Sequence, residues 1–224
     1  MIIAEEAMDK FKDRYAAGKI LAKQLATYHH KNTIALALPR GGVPVAYEIA
    51  KALAVPLDVF IVRKLGVPGH EELAMGAIAS GGATYLNKAI IEQLDISDET
   101  LKEVKSSQEK ELQRRDALSR GGKPFPDVCG KTILLIDDGI ATGATTRAAI
   151  KALKLQHPER IVLVVPVASS STLAEIENEV DEIICPLKPI NFYAVGLWYE
   201  QFSQTSDEEV AHLLDKANQD KPAK

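Results

Sequence analysis

The chain has 224 residues, 46% of them hydrophobic and 26% charged, with a formal net charge of −4. That length buries one sizeable core, and the composition is that of an ordinary water-soluble globular protein. The slightly acidic balance gives no global field toward nucleic acid or anionic membrane, so affinity for a polyanion must come from a local site. No apolar run is long enough to span a bilayer. The segment Met1 to Lys12 is charged and lacks the apolar centre of a signal peptide, so a cytoplasmic location is expected. Cys129 and Cys185 have no metal-ligand spacing and are expected to be reduced and buried. The histidines form no ligand cluster; His29 and His30 close a helical segment, where their charge is favourable.

From the N-terminus, Glu5 to Tyr28 has helical spacing, with Phe11, Tyr15, Ile20, Leu21 and Leu25 able to share a face. Thr33 to Leu38 is a short apolar strand. Gly41 and Gly42 break the chain, Val45 to Leu53 forms a helix, and Leu57 to Val62 a second strand opened by Pro56. Strand, turn, helix, strand is a parallel βαβ unit. Residues 66–87 carry Gly66, Gly69, Gly76, Gly81, Gly82 and Pro68. They are expected to form a mobile loop and then a β-ribbon from Ala74–Ala79 and Ala83–Leu86. Asp98 to Leu118 is a long charged helix capped by Ser97 or Asp98, mixed in sign and therefore a solvated face; Gly121, Gly122, Pro124 and Pro126 end it.

A second α/β stretch follows. Thr132–Ile136, Ile161–Val167 and Glu182–Cys185 are strands; Ala144–Leu155 and Thr172–Asn178 are helices. Their strands are continuous apolar runs, as in a sheet covered on both faces. An aromatic segment from Pro186 leads to an acidic helix, Asp207–Ala217, and a polar, frayed end. The expected architecture is α/β, a single doubly wound, mostly parallel sheet across residues 1–224. A small hood lobe is expected from residues 186–204 plus N-terminal elements. Ligands in such sheets sit at the carboxyl ends of the strands.

One such end stands out. Ile133 to Thr146 reads Ile-Leu-Leu-Ile-Asp-Asp-Gly-Ile-Ala-Thr-Gly-Ala-Thr-Thr: a buried strand, two adjacent acids, a small-residue loop, then a helix. Bare amides at a helix start attract phosphate, and paired carboxylates suit sugar hydroxyls or a hydrated metal ion. The order is wrong for a dinucleotide fingerprint, where glycines precede the acid, and the loop lacks the lysine of a P-loop. An N-cap at Thr142 would explain one threonine but not the two carboxylates.

This pattern resembles the phosphoribosyl pyrophosphate (PRPP) loop of the type I phosphoribosyltransferases. The resemblance implies that Asp137 and Asp138 bind the ribose hydroxyls and approach Mg²⁺, directly or through water. It assigns the 5′-phosphate to the turn Gly139, Ile140, Ala141, Thr142, Gly143, Ala144 and Thr145. Pro39-Arg40-Gly41-Gly42 has the place of the family's pyrophosphate loop, which often contains a cis peptide; Arg40, Gly41 and Gly42 would grip the diphosphate. Arg63 and Lys64, at the end of the next strand, fall where the family places further basic diphosphate contacts. Residues Gly66 to Ala79 fall at the flexible catalytic loop, whose polar groups here are His70, Glu71 and Glu72; the motif of the orotate enzymes is missing, and no general acid or base is assigned. Asn191 to Gln204 resembles the base-binding hood of hypoxanthine-type enzymes, with Phe192, Tyr193 and Trp198 as candidate acceptor contacts. Enzymes for 6-oxopurines carry a Lys after the strand where this chain has Val165-Pro166-Val167-Ala168, with Lys188 only later, so the acceptor stays open.

The resemblance covers most of Thr33 to Trp198. It is similar to a bacterial group of phosphoribosyltransferases whose acceptor is undefined. It implies transfer of the phosphoribosyl group from PRPP to a nitrogen nucleophile, with PRPP and a small molecule as partners and dimers as common assemblies. The alternative is a PRPP-sensing regulator without transferase activity, which should present a nucleic-acid face that this sequence lacks. A hydrolase on the same scaffold would need a signature such as Gly-x-Ser-x-Gly, which is absent.

Overall fold

Continuous apolar runs pair here as five parallel strands. In the computed structural model, which describes residues 10–29 and 32–219, these are β1 (Thr33–Ala37), β2 (Leu57–Val59), β6 (Thr132–Ile136), β7 (Arg160–Val164) and β8 (Glu182–Ile184), in spatial order β2-β1-β6-β7-β8. The order reverses between β1 and β6, which pair in parallel with Thr33 opposite Thr132 and Ala37 opposite Ile136. The loops leaving both strands therefore emerge side by side, at the position where doubly wound sheets bind ligands.

Alternation along the strands feeds two cores. Ala35, Ala37, Leu134 and Ile136 face one layer, built from α1 (Arg14–Gln24), α2 (Gly42–Leu53), α4 (Asp98–Arg120) and α7 (Asp207–Gln219). Ile34, Leu36, Ile133 and Leu135 face the other, built from α5 (Ala144–Lys154) and α6 (Ser170–Ile176). Both faces are covered, as the uninterrupted apolar runs require.

The structure corrects several expectations. The first helix begins only at Arg14, where Asp13 caps it by accepting from the Ala16 N–H at 2.7 Å; Phe11 lies outside it and bridges to Tyr199. The expected start, residues 5–9, and His30 lie outside the described residues. The second helix starts three residues earlier than expected, at Gly42, with Pro44 in its first turn, where no helical partner for its N–H is needed.

The strand expected over Leu57–Val62 is two strands. β2 ends at Val59, and Val62 opens a separate antiparallel sheet of β3 (Val62–Val67), β4 (His70–Ala79) and β5 (Thr84–Leu86). The expected loop over residues 66–73 is consequently a hairpin turning at Pro68-Gly69, where Gly69 takes φ 80°. Pro followed by positive-φ Gly is type II turn chemistry, and the glycines of the segment concealed the first four residues, 70–73, of a ten-residue strand whose remainder, Ala74–Ala79, was expected. A short helix that the sequence did not announce, α3 (Lys88–Gln93), connects this sheet to α4. Cys185 is buried as expected, whereas Cys129 is exposed.

The long helix α4 is capped by Ser97 and stopped by Gly121 in the left-handed region at φ 58°. Its last residue, Arg120, is almost fully enclosed: the guanidinium donates to Asp58 Oδ1 at 2.7 Å, to Asp116 and to the Val59 carbonyl. It thereby ties α4 to the edge strand β2. Removing one partner of a buried ion pair strands the other, at about 3–5 kcal/mol. Arg120→Met is expected to lose stability of that order in a urea melt.

Candidate functional site

At the reversal point, Asp137 and Asp138 leave β6 directly opposite the turn that leaves β1. The contact is close enough to dictate glycine there. A side chain on Gly41 would collide with the Asp138 carboxylate, and a Cβ on Gly42 would sit 2.7 Å from the Ile136 carbonyl and 3.0 Å from Asp137 Cα. The Pro39–Arg40 peptide is cis. Arg40, Gly41 and Gly42 thus lie at the start of α2 against the acid pair, while the Arg40 side chain points outward to Asp207 at 3.7 Å.

The residues expected to cradle a phosphate form the loop between β6 and α5, and α5 starts at Ala144 as expected. The residue capping α5 is Gly143, at φ 72°, and no side-chain cap bonds the first-turn amides. Ala144 and Thr145 are exposed, so these N–H groups are open to an anion. The loop itself is braced. Ile140 N–H donates to the Val167 carbonyl at 3.0 Å, Thr172 Oγ1 donates to the Ala141 carbonyl at 2.7 Å, and a Cβ on Gly143 would meet Thr172 Cγ2 at 2.7 Å.

The two acids are not equivalent. Asp137 Oδ1 accepts from the Asp138 N–H, at 2.8 Å. Asp138 is pinned from three sides: its Oδ2 receives Arg14 Nε at 2.7 Å, its carbonyl receives Tyr199 Oη at 2.6 Å, and Gly41 lies against its carboxylate. Burial, and next the Asp138 charge, push the Asp137 carboxyl well above the ordinary carboxylate range. Burial also raises Asp138, against the opposing pull of Arg14. Sequence reasoning missed Arg14. Its guanidinium also donates to the Ser203 carbonyl at 2.6 Å and lies 3.8 Å over the Phe202 ring. Nothing local in the sequence marks it, because its partners lie 124 and 189 residues away.

Among the described residues, no three Asp, Glu, His or Cys side chains assemble into a metal cage. Two adjacent carboxylates still fit Mg²⁺, a cation that keeps several waters and takes one or two carboxylates together with substrate oxygens. Asp137, unlike Asp138, forms no ion pair within 4.0 Å among the described residues, which leaves it available to such a cation.

The other expected residues distribute as follows. Phe192 stacks on Trp198 (centroids 6.4 Å apart, planes at 18°), and both pack against a small cluster containing Phe11, Val167 and Tyr199. Tyr193 is 84% exposed. This aromatic segment reaches the acid loop, since a Cβ on Gly139 would lie 2.6 Å from Val195 Cγ1. Arg63 and Lys64 do not end a strand of the parallel sheet. They sit on β3, where Arg63 Nε donates to Gln108 Oε1 at 2.9 Å and Lys64 lies 3.8 Å from Glu72. His70, Glu71 and Glu72 are exposed at the far end of the hairpin.

Comparison with known proteins agrees with this geometry. Residues 9–201 match the model of the phosphoribosyl transferase domain. Two Mycobacterium tuberculosis proteins (strains CDC 1551 and H37Rv), each named "Putative phosphoribosyl transferase", are 43% identical over 213 residues, 95% of this chain and 48% of theirs. The chain therefore spans about half the length of these curated relatives. The crystal structure of TT1426 from Thermus thermophilus superposes with a TM-score of 0.83 at 36% identity, covering 92% of this chain and 98% of that one. With the acid loop, the glycine turn and the parallel sheet all within the span of that match, this chain belongs to the phosphoribosyl transferase domain family.

Proposed function

We propose that this chain transfers the 5-phosphoribosyl group of PRPP to a nitrogen nucleophile on a nucleobase or related small molecule, releasing pyrophosphate. The observation that carries the reading is the meeting of the Asp137-Asp138 pair, the uncapped start of α5 and the Arg40-Gly41-Gly42 turn at one point of the sheet.

In this reading the amides from Ala141 to Thr145 hold the 5′-phosphate. Asp137, the less encumbered acid, takes the ribose hydroxyls, with Asp138 fixed beside it by Arg14. As pyrophosphate leaves C1, positive charge develops on the ribose ring and negative charge on the leaving group. Cations aimed at the departing oxygens stabilise that charge separation, a role for Arg40, with Arg63 and Lys64 at the mouth. Mg²⁺, when bound by Asp137 and Asp138 directly or through water, supplies further neutralisation of the diphosphate. The acceptor enters from the hood, where Phe192, Tyr193 and Trp198 offer aromatic faces; stacking on such a face is worth about 1–3 kcal/mol per base.

Pyrophosphate release from PRPP and Mg²⁺ across a panel of nucleobases tests the reading. Release with one or more bases supports it. Tight PRPP binding with no release from any acceptor favours a PRPP-sensing regulator, and no PRPP binding at all overturns both.

A further inference from the structure

Among the described residues, two hydrogen bonds tie Asp138 to side chains outside its own loop, and both lead to the aromatic segment. Tyr199 Oη donates to the Asp138 carbonyl at 2.6 Å. Arg14 Nε donates to the Asp138 carboxylate at 2.7 Å, and Arg14 Nη1 carries the link onward to the Ser203 carbonyl, with the guanidinium lying over the Phe202 ring. The next residue of the acid loop makes a third contact, because a Cβ on Gly139 would lie 2.6 Å from Val195 Cγ1. Two successive loop residues therefore hold both ends of residues 195–203.

That stretch is built as a fixed root. Its 3₁₀ turn, Val195–Trp198, leads into Tyr199, whose ring lies 5.6 Å from Phe11 and 5.0 Å from Phe202 between centroids. Its backbone pairs with the start of the described chain: Phe11 N–H donates to the Trp198 carbonyl at 2.9 Å, and Glu200 N–H to the Phe11 carbonyl at 2.8 Å. Ile190 and Tyr193, just before the root, are mostly exposed and form an open lip. One group in the root is unsatisfied. Trp198 Nε1 is buried with no hydrogen-bond partner among the described residues. A buried donor without an acceptor is a cost that a small rearrangement relieves, so the root is not held at a single optimum.

The other end of this run of contacts faces the sugar. Asp138 N–H donates to Asp137 Oδ1 at 2.8 Å. When Asp137 turns its carboxylate to ribose hydroxyls, that bond is shared or lost and the Asp138 backbone adjusts. The carbonyl of the same residue is the one that Tyr199 holds. Ribose, Asp137, Asp138, Tyr199 and Trp198 are thereby joined in a contiguous path of bonded and packed groups, the physical route along which two sites couple.

We propose that Tyr199 is a positioning residue that couples the donor loop to the aromatic hood. A sugar phosphate on Asp137 resets the packing around Trp198, and by reciprocity an ordered hood strengthens the hold on the sugar phosphate. The proposal rests on the donor reading of the Asp137 loop.

Trp198 is the only tryptophan of the chain, so its emission reports on the hood alone. Ribose 5-phosphate is the probe, because it has no aromatic group to stack there, and calorimetry on the same samples measures how much is bound. In the parent, saturation with ribose 5-phosphate is expected to shift the Trp198 emission. Tyr199→Phe keeps the ring contacts and removes the hydroxyl. It should bind ribose 5-phosphate roughly fivefold more weakly, the worth of one hydrogen bond, and its emission at saturation should scarcely move. A hydroxyl with a merely structural role would lower the melting temperature and leave the emission change at saturation as in the parent, which overturns the proposal. Binding heat in the parent without any change in emission overturns it as well, and leaves the donor reading standing. No binding heat in the parent overturns the donor reading and the coupling together. Should Tyr199→Phe lack the circular dichroism of the parent, Val195→Ala, which loosens the contact at Gly139, is held to the same two readings.

Discussion

Asp137→Asn is expected to abolish useful PRPP binding and at the same time raise the melting temperature. The two effects have separate causes. A carboxylate accepting from ribose hydroxyls makes charge-assisted bonds worth about 1.5–3 kcal/mol, or roughly 10- to 150-fold in affinity, before any contribution through Mg²⁺. In the free protein the same charge is a burden. Asp137 is desolvated and adjacent to the charge of Asp138, so its carboxyl is easier to protonate folded than unfolded. A raised folded value means that the stabilisation from protonation is present at low pH and disappears as pH rises through that value. As pH rises the parent loses that stabilisation, and the amide variant does not. The melting-temperature gap should therefore widen as pH rises above the ordinary carboxylate range and close as pH falls. Calorimetric titration of PRPP and thermal melts across pH check both halves. A variant that binds PRPP as the parent does removes Asp137 from the donor site, and a lower melting temperature contradicts the account of its burial.

Arg14→Met is expected to act in the opposite way on stability. The thioether keeps contact with the Phe202 ring but removes the donors to Asp138 and Ser203. A carboxylate left behind without its buried partner costs about 3–5 kcal/mol, so the midpoint of denaturant unfolding should fall substantially. The double variant Arg14→Met/Asp138→Asn removes both charges and should recover a large part of the loss, the signature of a coupled pair in a double-mutant cycle. Losses that simply add would mean that Arg14 acts through packing on Phe202 rather than through Asp138. PRPP affinity of Arg14→Met, measured where the variant is fully folded, reports how far Arg14 positions the acid loop.

The parallel sheet and the acid loop were legible because their signals are local. The run from Ile133 to Thr146 carries strand, acids, turn and helix start within fourteen consecutive positions, and Arg40-Gly41-Gly42 repeats the step from strand through turn to helix after β1. The ribbon of β4 and β5 was read in part, but the start of β4 at His70 and its pairing with β3 were missed because glycines lie in and around that hairpin. Gly66 and Gly76 are there for close packing, since a Cβ on Gly66 would meet the Glu71 backbone at 2.8 Å and one on Gly76 would strike the Tyr85 carbonyl. Composition cannot separate glycines that turn a chain from glycines that let two strands approach. The strand boundary at Val59 was equally invisible, because the apolar run continues through Phe60 and Ile61 while the chain passes from one sheet to another. Arg14 and Tyr199 owe their significance entirely to tertiary placement. On the sequence they are ordinary polar residues of a helix and of an aromatic segment.

The tethers on Asp138 bear on how the molecule is made. Arg14 lies 124 positions before it and Tyr199 lies 61 positions after it. Contacts spanning so much chain form late, because their loop-closure cost must be met before they add stability. A nascent polypeptide halted before position 199 already contains the complete β6 strand and its acids, yet lacks the phenol that fastens the Asp138 carbonyl. Under the proposed donor reading, such a product should bind the sugar phosphate poorly even though every residue of the expected cradle has been synthesised, until the last aromatic stretch has left the ribosome and docked.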